Sequence, residues 1–150
     1  MNSSDALDGD TIARGIAANS EDIPVEVLAA CGSTNSELLA RETLRGPFLL
    51  LAEEQTAGRG RRGRRWHSKP GAALTFSLRH DFAGGPAQLR GLSLAAGVAI
   101  AKALHALGAR DVALKWPNDL LASMGNGGAK LGTLKVSKGT VVWGASRHCP

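Results

Sequence analysis

The most distinctive stretch of the 150-residue chain is Gly58–Trp66, Gly-Arg-Gly-Arg-Arg-Gly-Arg-Arg-Trp. Its glycines permit tight turns and close backbone approach, and its arginines place positive charges that repel one another unless an anion lies between them. A guanidinium group donates two parallel charge-assisted hydrogen bonds to a phosphate or carboxylate. The segment therefore predicts an anion-binding loop. The alternative is a solvated basic patch of the kind that binds nucleic acid without a dedicated site.

The charge distribution favours a small anionic ligand. The formal net charge is +5, and the 13 basic residues outside this loop match the 13 acidic ones in number. A protein that grips many phosphates usually spreads Lys and Arg along a face, whereas here the excess is concentrated at one point.

Two further segments carry polar side chains whose types and spacing could hold a ligand. In Ser33-Thr34-Asn35-Ser36-Glu37, Thr34 and Glu37 have the spacing of a capping box, which predicts a helix start there. Free N–H groups at a helix start also bind anions or carbonyl groups, so the same residues could hold a ligand.

In Lys115–Asp119, Pro117 should end a strand and push Asn118 and Asp119 off its edge. These oxygens beside a lysine suit Mg²⁺ and phosphate, although Asn-Asp after proline is also typical of a turn.

Composition and cysteine usage limit the remaining classes. No segment approaches the roughly 20 apolar residues that span a bilayer, and the polar, acidic Met1–Asp10 does not resemble a signal peptide. We therefore expect a cytoplasmic protein without a membrane segment. Cys31 and Cys149 are far apart and in no metal-ligand spacing, which argues against a disulfide framework or a zinc site.

Hydrophobic periodicity predicts one domain of strands and helices around these segments. Alternation over Ala72–Arg79 indicates a strand with one buried face, and the intervening Gln55–Gly71 loop should be mobile without ligand. Trp66 would either anchor that loop or form an apolar wall for the ligand. The other predicted elements are a short helix within Thr11–Ala18, a strand at Ile23–Ala30, a helix from Thr34 ended by Gly46-Pro47, a strand at Phe48–Glu53, a helix at Gln88–Leu107 ended by Gly108, a strand at Val112–Lys115, a flexible loop at Met124–Gly128, and a hairpin of Lys130–Val136 with Thr140–Trp143. His105, on the Gln88–Leu107 helix, should be a packed or surface residue and not a catalytic one.

Four motifs in this order resemble the biotin protein ligase family. They are Gly-Ser-Thr-Asn at Gly32–Asn35, the Glu54–Trp66 run that contains the arginine loop, Lys-Trp-Pro-Asn-Asp-Leu at Lys115–Leu120, and Lys-Leu-Gly at Lys130–Gly132. The resemblance covers Val25–Val136.

The resemblance implies an α+β fold with a mixed, largely antiparallel sheet and helices packed on it, similar to the class II aminoacyl-tRNA synthetase and biotin ligase fold. We expect residues 1–22 to form an N-terminal extension, 23–143 a partial catalytic domain, and 144–150 an irregular tail. The fold would be incomplete at its C-terminus.

The implied activity is a two-step ligation. Biotin reacts with Mg²⁺-bound ATP to give biotinyl-5′-AMP and pyrophosphate, and a lysine of biotin carboxyl carrier protein then takes the biotinyl group. We expect no DNA-binding domain and no membrane partner, and we leave a homodimer open. The alternatives are a nucleic-acid-binding module that uses the arginine loop and a lipoate ligase of related fold.

The same resemblance assigns roles to individual residues. Arg61 and Lys130 would be catalytic, Lys130 by bridging the biotin carboxylate and the α-phosphate, and Asn118 and Asp119 would hold Mg²⁺. Biotin would contact Ser33, Thr34, Asn35, Gln55, Arg59, Gly60, Arg61 and Lys130, and ATP would contact Arg61, Arg62, Arg64, Trp66, Lys115, Asn118 and Asp119.

The sequence departs from the family pattern after Lys130. Thr133 adds bulk where the family backbone passes close to the adenylate, and Lys135 is charged where an apolar strand residue is usual. Val142–Ser146 only faintly resembles the Gly-x-Gly-x-Asn pattern of the next family strand. We therefore expect a truncated or altered ligase with an unpaired sheet edge, reduced stability and impaired turnover.

Overall fold

The fold is given by a computed structural model that describes residues 6–18, 22–59, 65–66, 68, 70–82, 89–117, 119–124, 127–137 and 140–146. For residues 123–124, 127–129, 133–137 and 140–146 only the backbone is described. The elements in chain order are α1 Gly9–Ala17, β1 Val25–Cys31, α2 Thr34–Ala40, β2 Phe48–Gln55, β3 Gly58–Arg59, β4 Arg65–Trp66, β5 Ala73–Arg79, α3 Leu92–Ala106, β6 Val112–Lys115, β7 Asp119–Met124, β8 Gly127–Ser137 and β9 Thr140–Ser146.

Seven of these strands form one sheet in the order β1-β2-β5-β9-β8-β7-β6, and β3 pairs with β4. β1 and β2 are parallel, and the other neighbours are antiparallel. This confirms the predicted α+β class and the mixed, largely antiparallel sheet. The last strand, β9, is not an edge strand, because it lies between β5 and β8 and is paired on both sides; the edges of the described sheet are β1 and β6.

The two faces of the sheet carry different helices. Phe76 packs with α3 on the first face, against a core of Ala101, Val112 and Leu120. Thr75 and Ser77 point to the second face, where α2 lies, because successive strand residues alternate between faces. The alternating pattern of β5 was thus correct, but its fully buried residues are these two polar ones, while Leu74 is 41% exposed.

The helix boundaries differ from prediction mainly in α2. The helix ends at Ala40 rather than continuing to Gly46, and no capping box forms among the described residues. Thr34 is the first helical residue instead of the cap, and its side chain bonds to the sheet. Ser33 takes the N-cap position in an extended conformation, without a side-chain cap bond in the described part of the chain.

α3 agrees more closely with the sequence. It begins at Leu92 after Gly91 and ends before Gly108, whose φ of 95° suits the residue that follows a helix. His105 is exposed, and its Nε2 lies 2.8 Å from the carbonyl oxygen of Val112, which agrees with the prediction of a packed or surface histidine. In the part of the chain that the structure describes, no helix is long and apolar enough to cross a membrane.

Three loop predictions need correction or extension. The predicted Gln55–Gly71 loop contains the short β3–β4 ladder. Most of the predicted Met124–Gly128 loop is strand, since β7 ends at Met124 and β8 begins at Gly127. β9 continues to Ser146, into the predicted irregular tail that starts at residue 144.

Candidate functional site

Three polar side chains meet where α2 begins above the sheet. Gln55 Oε1 accepts the backbone N–H of Thr34 at 2.8 Å and its hydroxyl at 3.2 Å. The Thr34 hydroxyl also lies 2.8 Å from the hydroxyl of Ser77, and both Thr34 and Ser77 are fully buried. We call Thr34, Gln55 and Ser77 the hydroxyl–amide cluster. It brings together residues from α2, β2 and β5.

Parallel pairing of β1 and β2 extends past the strand ends and holds this cluster in place. The backbone N–H groups of Thr56 and Ala57 donate to the carbonyl oxygens of Cys31 and Gly32 at 2.9 and 2.8 Å. Gln55 N donates to the buried Ser68 hydroxyl at 2.7 Å. The segment that leads into α2 therefore runs beside the segment that leads into the arginine loop.

Gly58 allows close contact between β3, β4 and Gln55. A Cβ on Gly58 would lie 2.8 Å from the carbonyl oxygen of Trp66 and 3.2 Å from both Trp66 Cβ and Gln55 Nε2. Any larger residue must therefore displace Trp66 or the Gln55 amide. This packing places Trp66 beside the amide that the sequence assigned to biotin.

Two buried polar atoms lack hydrogen-bond partners in the described part of the chain, Asn35 Oδ1 and Trp66 Nε1. A buried polar atom without a partner is uncommon and costs free energy. One atom is an acceptor and the other a donor. Such a pair is consistent with a site completed by a polar ligand.

The base of the arginine loop places like charges opposite each other. Arg59 and Arg65 are cross-strand partners in the β3–β4 ladder, and both are exposed. Like charges directly opposite in a ladder destabilise it, so an anion between them would stabilise the hairpin. Four predicted loop contacts, Gly60, Arg61, Arg62 and Arg64, lie outside the described residues.

Asp119 and Lys130 form an ion pair between neighbouring strands. Lys130 Nζ lies 3.0 Å from Asp119 Oδ1, and the two side chains are 34% and 27% exposed. The expectation that Asp119 is displaced from the strand edge is wrong, because it begins β7 and pairs in register with Lys115 and Thr133. Asn118 lies outside the described residues. Lys115 is exposed on the edge strand β6.

A single row of cross-strand partners places this ion pair on the sheet face that also carries the hydroxyl–amide cluster. In β5, β9, β8 and β7 the row passes through Thr75, Gly144, Thr133 and Asp119. Partners in one row share a face of the sheet, so Asp119 lies on the face that carries α2, and three strand spacings put it about 14 Å from Thr75. Of the two residues between them in the row, Gly144 adds no side chain to this face, whereas Thr133 does.

The described helices leave part of this face open. α2 packs on β5 and touches β9, whereas α3 packs on β6, β7 and β8 from the opposite face. The ion pair is therefore partly exposed, while Thr34 and Ser77 are enclosed. The arrangement suits an elongated ligand with a polar head under α2 and a negatively charged end over β7 and β8.

The described residues do not form a metal cage by themselves. Among them no group of three or more His, Cys, Asp or Glu side chains could hold a metal ion. Asp119 supplies one carboxylate, and its partner is a lysine. Since Mg²⁺ often binds through one or two carboxylates together with substrate phosphates, this donor fits an ion that arrives with a nucleotide.

Cys31 lies near the cluster but has the properties of an unreactive thiol. Burial, together with the Glu37 carboxylate, raises the pKa of the Cys31 thiol to about 11. The thiolate is the nucleophilic form, so Cys31 is almost entirely protonated at neutral pH. Cys31 is therefore a poor candidate for covalent chemistry.

The sequence missed several residues around the site. Ser77 and Ser68 hydrogen-bond to predicted site residues, and Arg65 faces Arg59, yet none of these had been assigned a role. The signal for Ser77 was its strand alternation with Phe76, but it gave no reason to prefer the polar face. Arg65 was visible only as one of several loop arginines.

Solved structures of biotin ligases share this architecture. The Helicobacter pylori biotin acetyl coenzyme A carboxylase synthetase with bound biotinylated ATP aligns with a TM-score of 0.64 and 33% identity, covering 84% of this chain and 62% of that one. The Aquifex aeolicus biotin protein ligase in complex with biotin and ATP gives a TM-score of 0.64 and 28% identity, over 85% and 55% of the two chains. The fold is thus that of the biotin ligase catalytic domain.

The chain belongs to the biotin/lipoate A/B protein ligase family, whose model matches residues 28–142. The Mycobacterium tuberculosis biotin–[acetyl-CoA-carboxylase] ligase is 41% identical over 128 residues, which are 80% of this chain and 47% of the relative. The Salmonella typhimurium bifunctional ligase/repressor BirA is 50% identical over 97 residues, 64% and 30% of the two chains. The chain therefore spans about a third to a half of these two curated relatives.

Proposed function

We propose that this chain carries the substrate-activating site of a biotin protein ligase, which joins biotin to ATP to form biotinyl-5′-AMP. The observation that carries the proposal is the shared sheet face of the hydroxyl–amide cluster and the Asp119–Lys130 pair. The relative named as a biotin–[acetyl-CoA-carboxylase] ligase supports biotin over lipoate, and it supports a ligase over a nucleic-acid-binding module.

In this proposal the polar head of biotin lies against Ser33, Thr34, Asn35 and Gln55, beneath the start of α2. The valeryl chain extends along the open face toward Lys130. Unpaired Asn35 Oδ1 supports the assignment because the ureido N–H groups of biotin are donors that could satisfy it. Arg59 and Gly60 line the valeryl chain of biotin.

The carboxylate end requires positive charge. A biotin carboxylate oxygen attacks the α-phosphorus of ATP, the bond from the α-phosphorus to the bridging oxygen breaks, and pyrophosphate leaves with that oxygen. Two anions must approach for this step, and fixed cations lower its barrier by offsetting their repulsion and the charge on the leaving group. Lys130 and Arg61 supply that charge at the reacting groups. Arg62, Arg64, Trp66 and Lys115 contact the rest of the nucleotide.

Mg²⁺ is the cofactor in this proposal. Asp119 and Asn118 would hold it together with the phosphate oxygens of ATP, where it would neutralise charge on the phosphates. Asp119 must exchange its Lys130 partner for the metal, which frees the Lys130 ammonium for the carboxylate and the α-phosphate.

The second step of the proposal is transfer to a protein. The neutral ε-amine of a lysine on biotin carboxyl carrier protein attacks the carbonyl carbon of biotinyl-5′-AMP, AMP leaves, and the amine gives up a proton as the amide forms. The open face over β7 and β8 offers that lysine an approach to the acyl group.

The test is a single-turnover assay with α-labelled ATP, Mg²⁺ and either biotin or lipoate. The proposal expects labelled acyl-AMP with biotin, none without an acid, and little with lipoate. A single-turnover format also detects slow adenylation. Adenylation of lipoate alone, or no binding of biotin and ATP by calorimetry, would overturn the proposal.

A further inference from the structure

We propose that Ser77 is a positioning residue that fixes the orientation of the Gln55 amide and thereby decides which hydrogen-bonding group of the ligand the site accepts. The inference deepens the proposed function and rests on it. Ser77 lies on β5, fully buried, and pairs in register with Leu50 and Val142. Its side chain reaches Thr34 at 2.8 Å.

The direction of hydrogen bonding through the cluster follows from donor counting. A threonine hydroxyl has one proton, and Gln55 Oε1 is an acceptor only. When Thr34 donates to Gln55 Oε1, the proton between Thr34 and Ser77 has to come from Ser77. The result is a chain from the Ser77 hydroxyl to the Thr34 hydroxyl to the Gln55 oxygen, in which each bond polarises the next.

Two donors of Thr34 set the orientation of the amide, and the chain from Ser77 directs one of them. Gln55 Oε1 receives two donors from Thr34, the backbone N–H at 2.8 Å and the hydroxyl at 3.2 Å. A flipped amide would bring NH₂ against the Thr34 N–H, two donors without an acceptor. The Gln55 NH₂ group therefore faces away from Thr34, and Nε2 lies close to Gly58 on the side of the β3–β4 ladder.

This orientation decides which ligand group Gln55 can bind. The Gln55 amide oxygen already accepts two hydrogen bonds from Thr34, so the group left for the ligand is the NH₂ donor, which prefers a hydrogen-bond acceptor. In the head group of biotin the ureido oxygen is the strongest acceptor. Without the Ser77 hydroxyl, the Thr34 oxygen loses the donor that polarises it, and the hydrogen bond from Thr34 to the Gln55 amide is weakened.

Thr75 provides a matched control on the same strand and face. Its hydroxyl is also fully buried, but it donates to the carbonyl oxygen of Ala52 at 2.9 Å instead of joining the cluster. Thr75→Val therefore removes a buried hydroxyl and its hydrogen bond to the Ala52 carbonyl oxygen. Ser77→Ala removes a buried hydroxyl and the start of the hydrogen-bond chain that leads to Gln55.

The experiment compares the wild type with Ser77→Ala, Ser77→Cys and Thr75→Val by calorimetric titration. The probes are biotin and its thiourea analogue, in which sulfur, a weaker acceptor, replaces the ureido oxygen. Thermal unfolding is measured in parallel. Ser77→Cys keeps the buried volume with a weaker donor, so it can be tested if the alanine variant does not fold.

We expect Ser77→Ala to bind biotin about tenfold more weakly, the effect of losing roughly one hydrogen bond. The preference for biotin over the thiourea analogue should fall with it, and Ser77→Cys should lie between. Thr75→Val should lower the melting temperature but keep the wild-type preference.

The outcomes separate the two proposals. Wild-type protein that does not bind biotin overturns the proposed function, and this inference with it. Biotin binding that keeps the wild-type preference in both Ser77 variants overturns the positioning role alone. An equal loss of preference in Thr75→Val also overturns it, because the effect would then be general to buried hydroxyls of β5.

Discussion

Lys130 Nζ and Asp119 Oδ1 lie 3.0 Å apart, joining β8 to β7 on the sheet face that carries α2. The pair links two motifs that are separated in sequence. Partial exposure of both side chains leaves the ammonium able to change partners when an anion arrives. Asp119 therefore positions the Lys130 ammonium on the face where the proposed function places the reacting groups.

Replacing Lys130 should impair adenylation more than it impairs folding. In Lys130→Ala the carboxylate and the α-phosphate lose a fixed cation, and we expect the rate of biotinyl-5′-AMP formation to fall by about two orders of magnitude or more. The measurement is single-turnover formation of labelled acyl-AMP. Lys102→Ala, an exposed lysine on α3, is the control for loss of one positive charge. Adenylation by Lys130→Ala within twofold of wild type would contradict the assignment.

Gly58 should be intolerant of a side chain. A Cβ at this position would lie 2.8 Å from the Trp66 carbonyl oxygen, a backbone atom that can move only if the ladder opens. We expect Gly58→Ala to displace β4 or the Gln55 amide and to weaken biotin binding by about tenfold, equivalent to one lost hydrogen bond. Calorimetric titration measures this effect.

Gly15→Ala is the matched control for the Gly58 variant. A Cβ on Gly15 meets nothing within 4 Å, and this residue lies in α1 away from the cluster. Its affinity for biotin should equal that of the wild type. If Gly58→Ala binds biotin as well as Gly15→Ala does, the close packing of β3 and β4 has no role in the site.

The sequence was informative where signals are local. Alternation of apolar and polar residues over Ala72–Arg79 correctly located β5. The capping-box prediction failed because the Thr34 hydroxyl has a competing partner, Ser77, 43 residues away. Local spacing cannot weigh such a long-range contact against a bond to the helix backbone.

β7 was missed for a similar reason. Asn118-Asp119 after proline is typical of a turn, and the strand beginning at Asp119 is defined by its pairing with β6 and β8. A register shift between Leu120 and Leu121 also places Lys130 opposite Leu121, which sequence spacing does not predict. The Asp119–Lys130 contact can therefore be identified only from the pairing of β7 with β8.

Arg65 should contribute to anion binding although the resemblance did not assign it. It faces Arg59 across the β3–β4 ladder, so an anion between them relieves their repulsion. We expect Arg65→Gln to reduce the rise in melting temperature that pyrophosphate produces, and added salt to shrink the difference from wild type. Lys102→Gln, with the same charge change on α3, should retain the full rise. An unchanged response in Arg65→Gln would show that these two arginines do not hold the anion.

The Glu26–Arg41 pair should make α2 docking sensitive to acid. Arg41 Nη1 and Nη2 donate to the Glu26 carboxylate at 2.6 and 2.9 Å, and Arg41 stacks over Phe48. These hydrogen bonds lower the pKa of Glu26 below its ordinary value of 4.5. The stabilisation is therefore complete above about pH 4.5 and is lost as the pH falls through the lower folded-state pKa.

Glu26→Gln tests this dependence. Both side chains remain about one third exposed, so we expect the pair to contribute no more than about 1 kcal/mol at pH 7. Urea denaturation of wild type and Glu26→Gln should differ by that amount at pH 7 and converge as the pH falls below 4.5 and the wild-type carboxylate takes up a proton. Glu42→Gln, an exposed carboxylate just beyond α2, controls for charge alone. A difference between wild type and Glu26→Gln that stays constant from pH 7 to pH 3 would show that ionisation of Glu26 does not stabilise the docked helix.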